Sequence, residues 1–149
     1  YRQMKIVKNR RAEAAISPEK FFALISDMRN FGLLLPADMR DKYRSDENSC
    51  VITVDQIGSL NLKVAAKKPF SEVLYEGSAI SRINIGLKVI IEKSDPGNSN
   101  VSISFTADTD PVTGMFLSAV LDRFLDKMVT EIENYRYEDL IAPKENPLP

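Results

Sequence analysis

Ile83-Asn84-Ile85-Gly86-Leu87-Lys88-Val89-Ile90-Ile91 leads into the turn cluster Asp95-Pro96-Gly97-Asn98 and then into Val101-Ser102-Ile103-Ser104-Phe105-Thr106-Ala107-Asp108. On both sides of the turn an apolar residue returns at every second position. Successive side chains of an extended chain point to opposite faces, so each run has one buried and one wet face, the usual antiparallel arrangement. Two such runs around a Pro-Gly-Asn turn read as a β-hairpin.

Downstream the period changes. Asp110-Pro111 supplies an N-cap acid and a proline for the first helical turn. Leu117, Leu121, Phe124, Met128, Ile132 and Tyr135 then recur at three- and four-residue spacings, and Val120 and Leu125 widen the stripe. Asp122, Arg123, Asp126, Lys127, Glu131 and Glu133 take the other side. A helix from Pro111 to about Tyr137 would be roughly 40 Å long at ~1.5 Å per residue, enough to cross a sheet diagonally. The remaining residues, 138–149, contain three prolines and read as an irregular tail.

Upstream, Met4 to Ile16 reads as a first strand on the spacing of Ala12, Ala14 and Ile16. Ser17-Pro18-Glu19 is a helix start, with Phe21, Phe22, Leu24 and Ile25 as its apolar face. A second short helix is expected from Asp27 to Leu34, stopped at Pro36, which steers Leu35 out of helical geometry. Arg40 to Asp46, Cys50 to Gln56, Leu60 to Lys67 and Phe70 to Ala79 read as further strands, with Leu60, Leu62, Val64 and Ala66 on one face. The expectation is a single α+β domain over residues 4–137. In it, a seven-stranded curved antiparallel sheet wraps a long C-terminal helix, with two short helices after the first strand.

Composition narrows the chemistry. The 149 residues fit one domain with a sizeable core; 44% are hydrophobic and 28% charged, as in an ordinary globular chain. Twenty basic and twenty-one acidic residues leave a net charge of −1, which offers no bulk attraction to nucleic acid. No apolar run approaches transmembrane length. Tyr1-Arg2-Gln3-Met4 has no apolar signal core, and a start at Tyr points to a trimmed chain. The lone Cys50 precludes an internal disulfide and fits a cytoplasmic location. The absence of histidine removes imidazole bases and, with one cysteine, the usual zinc sites. No metal or cofactor is implied. Asp95, Asn98 and Asn100 around Gly97 lack the later bidentate acid of a calcium loop and read as a turn.

The order of elements resembles the helix-grip fold of the START/Bet v 1-like superfamily, which includes polyketide cyclases. So does Ala14-Ala15-Ile16-Ser17-Pro18-Glu19-Lys20-Phe21-Phe22-Ala23-Leu24-Ile25-Ser26-Asp27, similar to that superfamily's strand running into an N-capped helix. Leu121-Asp122-Arg123-Phe124-Leu125 is similar to its gripping helix. The resemblance spans Met4 to about Tyr137 and implies a cavity between sheet and helix, used by members for lipids, polyketides, quinones or hormones. It carries no catalytic signature that maps onto residues here.

Candidate walls of such a cavity are Leu62, Val64, Tyr75, Ile85, Leu87 and Phe105 from the strands, with Phe31 and Leu34 from the short helices. Met115, Phe116, Leu117, Val120, Leu121 and Phe124 are the candidates from the long helix. Each also suits plain core packing. Tyr75 can orient a ligand carbonyl or serve as a core tyrosine with a satisfied hydroxyl. Glu72 with Glu76, and Asp108 with Asp110, read as solvated or capping groups rather than an acid–base pair. Cys50, with no imidazole to activate it, reads as a small buried hydrophobe. The leading expectation is non-catalytic binding or carriage of a small hydrophobic molecule, with no protein partner identified. A cyclase/dehydratase-like enzyme using a tyrosine or carboxylate is the alternative. A weaker one is an assembly or membrane-delivery subunit resembling the small subunit associated with carbon monoxide dehydrogenase, which an exposed apolar patch on the first helices or tail would favour.

Overall fold

A computed structural model describes residues 3–54, 58–80 and 83–138. The strands are β1 (Met4–Ala14), β2 (Tyr43–Ser45), β3 (Ser49–Val54), β4 (Gly58–Lys68), β5 (Glu72–Ala79), β6 (Ile83–Lys93) and β7 (Ser99–Thr109). They form one antiparallel sheet in the order β1-β7-β6-β5-β4-β3-β2. Helices α1 (Pro18–Ser26) and α2 (Met28–Phe31) follow β1, and α3 (Pro111–Asn134) closes the fold. Among the described residues no helix is long and apolar enough to cross a membrane.

The central hairpin pairs Leu87 with Phe105 and Val89 with Ile103, as the alternation requires. Its inward residues, from Ile83 to Ile91 and Val101 to Ala107, are buried in the core, with Leu87 and Phe105 facing Phe124, Leu125 and Met128 of α3. The helix starts form as read: the Ser17 hydroxyl accepts from the Lys20 N–H at 3.4 Å, and the Asp110 carboxylate accepts from the Thr113 N–H at 3.0 Å. Leu35 is extended (φ −82°, ψ 154°) where Pro36 demands it.

Four expectations are corrected. Arg40 to Asp46 is not one strand: Ala37–Lys42 is a 3-10 helix, and only Tyr43–Ser45 pairs, at the sheet edge. Pro36 starts that turn, its carbonyl accepting from Met39 N–H at 2.9 Å. The Asp46 carboxylate then holds the next turn through Asn48 N–H and Ser49 N–H, both at 2.9 Å. In β4, the register shifts between Val64, opposite Tyr75, and Ala66, opposite Leu74. Ala65 is the extra residue of a bulge, so Ala66 turns outward and is exposed. Phe70 belongs to the turn before β5, at φ 67°, with its ring edge-on to Phe22. Finally, α3 ends at Asn134. Tyr135 leaves helical geometry, and Tyr137 folds back to donate its hydroxyl to the Ile132 carbonyl at 2.7 Å, with its ring against Phe21. The expected continuation of a strand to Gln56 and the tail beyond 138 lie outside the described residues.

Candidate functional site

The long helix is held unevenly. Along its β1 flank Arg10 donates to Asp122 at 2.8 Å and Asp126 at 2.7 Å, and Lys8 donates to Asp122 at 3.1 Å. Those donors hold the Asp122 carboxyl below the ordinary carboxylate range. Near its start, Gly114 packs so closely that an added Cβ would lie 2.8 Å from Met4 Sδ and 3.0 Å from Thr109 Cγ2. The first turn of α3 is therefore clamped to β1 and β7.

The opposite flank differs. There the Ala37–Lys42 segment lies as a flap beside α3 and β3. Arg40 donates to the Glu131 carboxylate at 2.7 Å and to the Leu35 and Leu33 carbonyls at 3.1 and 3.3 Å, latching the flap. At its base the Tyr43 hydroxyl donates to the Met28 carbonyl, and the ring lies over Gly32, where any Cβ would clash with it. Burial raises the Tyr43 phenol pKa, so this donor stays protonated.

Between flap, β3 and α3 is an open groove of about 500 Å³. Val54, Val120 and Phe124 make a buried floor with the half-buried Met39. Asp38, Lys42, Thr53, Arg123 and Lys127 form its exposed rim. Val120, Arg123, Phe124 and Lys127 stand at i, i+3, i+4 and i+7, one continuous row of the helix.

Phe124, 9% exposed, also borders a second space behind it. That inner pocket is wholly apolar, walled by Phe31, Ile52, Leu60, Leu62, Leu87, Phe105, Leu125 and Met128 with Phe124 itself. Its volume is about 10 Å³, at the threshold for holding one water. The sheet–helix cavity is closed in this conformation, and Phe124 lines both it and the groove.

Of the residues expected at a cavity, Phe31, Leu62, Leu87, Phe105 and Phe124 meet at the inner pocket, and Val120 joins Phe124 in the groove. Leu34, Tyr75, Ile85, Leu117 and Leu121 are buried in the core, and Val64 is half-buried beside the bulge. Tyr75 is 0% exposed, and its hydroxyl donates to the Ile25 carbonyl at 2.6 Å. Its proton is committed, and burial raises its pKa well above the ordinary value. Met115 and Phe116 are corrected: they are 73% and 48% exposed. They precede Leu117 by two residues and one, which at ~100° per residue rotates them off the inward stripe. With Val112 they make an apolar surface on the first turns of α3, not on α1 or α2.

Sequence reasoning missed Ile52, Leu60, Leu125 and Met128, each readable as inward from its period but not as pocket-facing. It also missed the groove. The available signal was the Val120-Arg123-Phe124-Lys127 row, where cations border the apolar stripe.

No protein-family model and no curated protein matches the sequence. Solved structures do. A START superfamily protein from Mycobacterium smegmatis superposes with a TM-score of 0.68 at 13% identity, covering 90% of this chain and 98% of that one. The fold is START/Bet v 1-like. The protein XoxI from Bacillus cereus gives a TM-score of 0.69 at 14% identity over 92% of this chain and 99% of its own. A truncated norcoclaurine synthase from Thalictrum flavum gives 0.62 at 9% identity over 90% and 97%. At these identities the START/Bet v 1-like likeness is one of fold, and activity must be argued from the side chains above.

Proposed function

We propose that this protein binds and carries a small hydrophobic molecule between α3 and the sheet. The ligand enters through the groove beside the Ala37–Lys42 flap and lodges behind Phe124. The observation that carries this reading is the shared wall: Phe124 lines both an open groove of about 500 Å³ and a fully apolar inner pocket. A groove of that volume falls within the ~300–1,000 Å³ of small-molecule sites. The clamps run along β1, while the groove flank is latched through Arg40, so the easier opening is on the groove side. Rotation of one aromatic ring with flap displacement is the kind of motion that turns a closed pocket into an occupied one.

An enzymatic role has less behind it. The protein has no histidine, the Tyr75 and Tyr43 hydroxyls both donate to backbone carbonyls, and Cys50 is buried with its thiol pKa raised. None of these offers a general base to a ligand behind Phe124. The buried free cysteine suits a reducing compartment, and the cytoplasm is the location proposed.

Native mass spectrometry of protein purified from its own host, followed by denaturation and solvent extraction, tests the reading. A co-purifying hydrophobic molecule at near-stoichiometric amount is the expected result. Protein that is ligand-free and takes up no apolar compound on incubation would overturn it.

A further inference from the structure

We infer that Val112, Met115, Phe116 and Ala119 form a docking face for a second copy of this chain, the two α3 helices pairing antiparallel about a two-fold axis. The inference is independent of the ligand site. From Pro111 to Leu121 the helix carries no charged residue, whereas its remainder, from Asp122 to Asn134, carries six. A surface helix is normally apolar toward the core and charged toward water. The first half of α3 is instead uncharged on every side. Its inward face is covered: Gly114, Leu117, Val120 and Leu121 are buried. Its outward face is open, with Val112 80% exposed, Met115 and Phe116 exposed, and Ala119 exposed beside them. Three of the seven large apolar side chains exposed among the described residues lie within these two turns.

The spacing selects the occupant. Val112, Met115, Phe116 and Ala119 stand at i, i+3, i+4 and i+7, a single stripe of the helix. That spacing is the same from either end, so a two-fold axis between Met115 and Phe116 lays the stripe on itself. Val112 of one copy then faces Ala119 of the other, a larger side chain over a small one. Met115 faces Phe116, a thioether against an aromatic ring. Each contact occurs twice, as an isologous interface requires. An anionic membrane or a charge-steered protein partner would call for charges in the stripe, and it has none. Two copies also meet with little repulsion, because the net charge of each is −1. The stripe presents on the order of 400 Å² per copy, a size at which exposed patches mark interaction sites. With its flanks Pro111, Thr113 and Ser118 the pair buries about 1,200 Å² in total, the lower edge of specific complexes, so the dimer is reversible rather than obligate. Phe116 precedes the groove residue Val120 by one turn, so the interface borders the groove.

Sedimentation velocity of the full chain at about 10 μM and about 1 mM tests this, a range that brackets so small an interface. The expected result is monomer at the lower concentration and mostly dimer at the higher. Met115→Asp should weaken association by about tenfold or more with melting temperature unchanged, since that side chain is exposed and its charge would be buried only in the pair. A chain carrying both Val112→Cys and Ala119→Cys should form a disulfide-linked dimer under mild oxidation, and a chain with either change alone much less, because the antiparallel register brings these two positions together. Cys50 is buried and takes no part. Monomer at both concentrations would overturn the inference. So would self-association that Met115→Asp leaves intact, which would place the contact elsewhere. Dimers abolished by Met115→Asp in which the double-cysteine chain stays uncross-linked would overturn the antiparallel pairing. Monomer that binds phosphatidylcholine vesicles, and loses that binding with Met115→Asp, would assign the face to a bilayer and overturn the second copy.

Discussion

Phe124→Ala removes the partition between groove and inner pocket. Burying a phenylalanine removes roughly 200 Å² from water at about 25 cal/mol per Å², and Phe→Ala changes in cores cost ~3–5 kcal/mol. The groove already flanks one side of this ring, so the loss is expected near the lower end, at about 3 kcal/mol. At ~0.05 kcal/mol per residue even a marginal chain of this length has roughly 7 kcal/mol, so the variant remains folded. Binding moves the other way. If the swung-out ring is populated at about 10% in the unmodified protein, removing it raises apparent affinity for an apolar ligand about tenfold. Urea denaturation supplies the first number and stopped-flow uptake of N-phenylnaphthylamine the second. A variant that loses the expected stability yet takes up the probe no better would refute the gate and return Phe124 to ordinary core.

Tyr75→Phe leaves the Ile25 carbonyl buried without its donor and should lower stability by about 1–3 kcal/mol in urea, with no change in apolar-probe binding. A Cβ on Gly77 would lie 1.7 Å from the Asn61 carbonyl oxygen, so Gly77→Ala should separate β4 from β5 with a loss on the order of 4 kcal/mol or no folded product. Gly97→Ala, at φ 84° but in open space, should cost only about 1–2 kcal/mol, and thermal melts of the pair distinguish clash from strain. The Asp122 carboxyl, depressed first by Arg10 and then by Lys8, stabilises the fold fully above the unfolded value of about 3.9. That contribution is lost as pH falls through the lower folded value, so Asp122→Asn should flatten the acid limb of a stability–pH curve and lower the plateau above it.

The parts of the fold legible in the sequence are those where burial imposes a period. Ile83 to Ile91 and Val101 to Ala107 alternate because each strand has one face in the core. Leu117 to Ile132 recur at helical spacing because one stripe faces the sheet. Ser17-Pro18 and Asp110-Pro111 marked helix starts because caps are local chemistry. The bulge at Ala65 was not legible: neither glycine nor proline marks it, and alanine is equally at home on either face. Met115 and Phe116 misled because apolarity was weighed without helical phase. The groove was hidden for a deeper reason. It depends on Arg40 and its neighbours coiling after Pro36 into a flap, and on Thr53 and Val54 coming beside Val120 and Phe124, a long-range juxtaposition no local pattern encodes. The helix showed that Arg123 and Lys127 are solvated but not that they overlook an apolar floor.

The most direct test of a ligand site behind Phe124 is a solution NMR titration of methyl-labelled protein with dodecanoate, reading nuclear Overhauser contacts from the alkyl chain. The account predicts contacts to the methyl groups of Ile52, Leu62, Leu125 and Met128. Contacts confined to Val112 and Met115 on the exposed start of α3, with the inner methyl groups unmoved, would contradict it. The hydrocarbon would then be adsorbed on the surface, and the space behind Phe124 would be closed core.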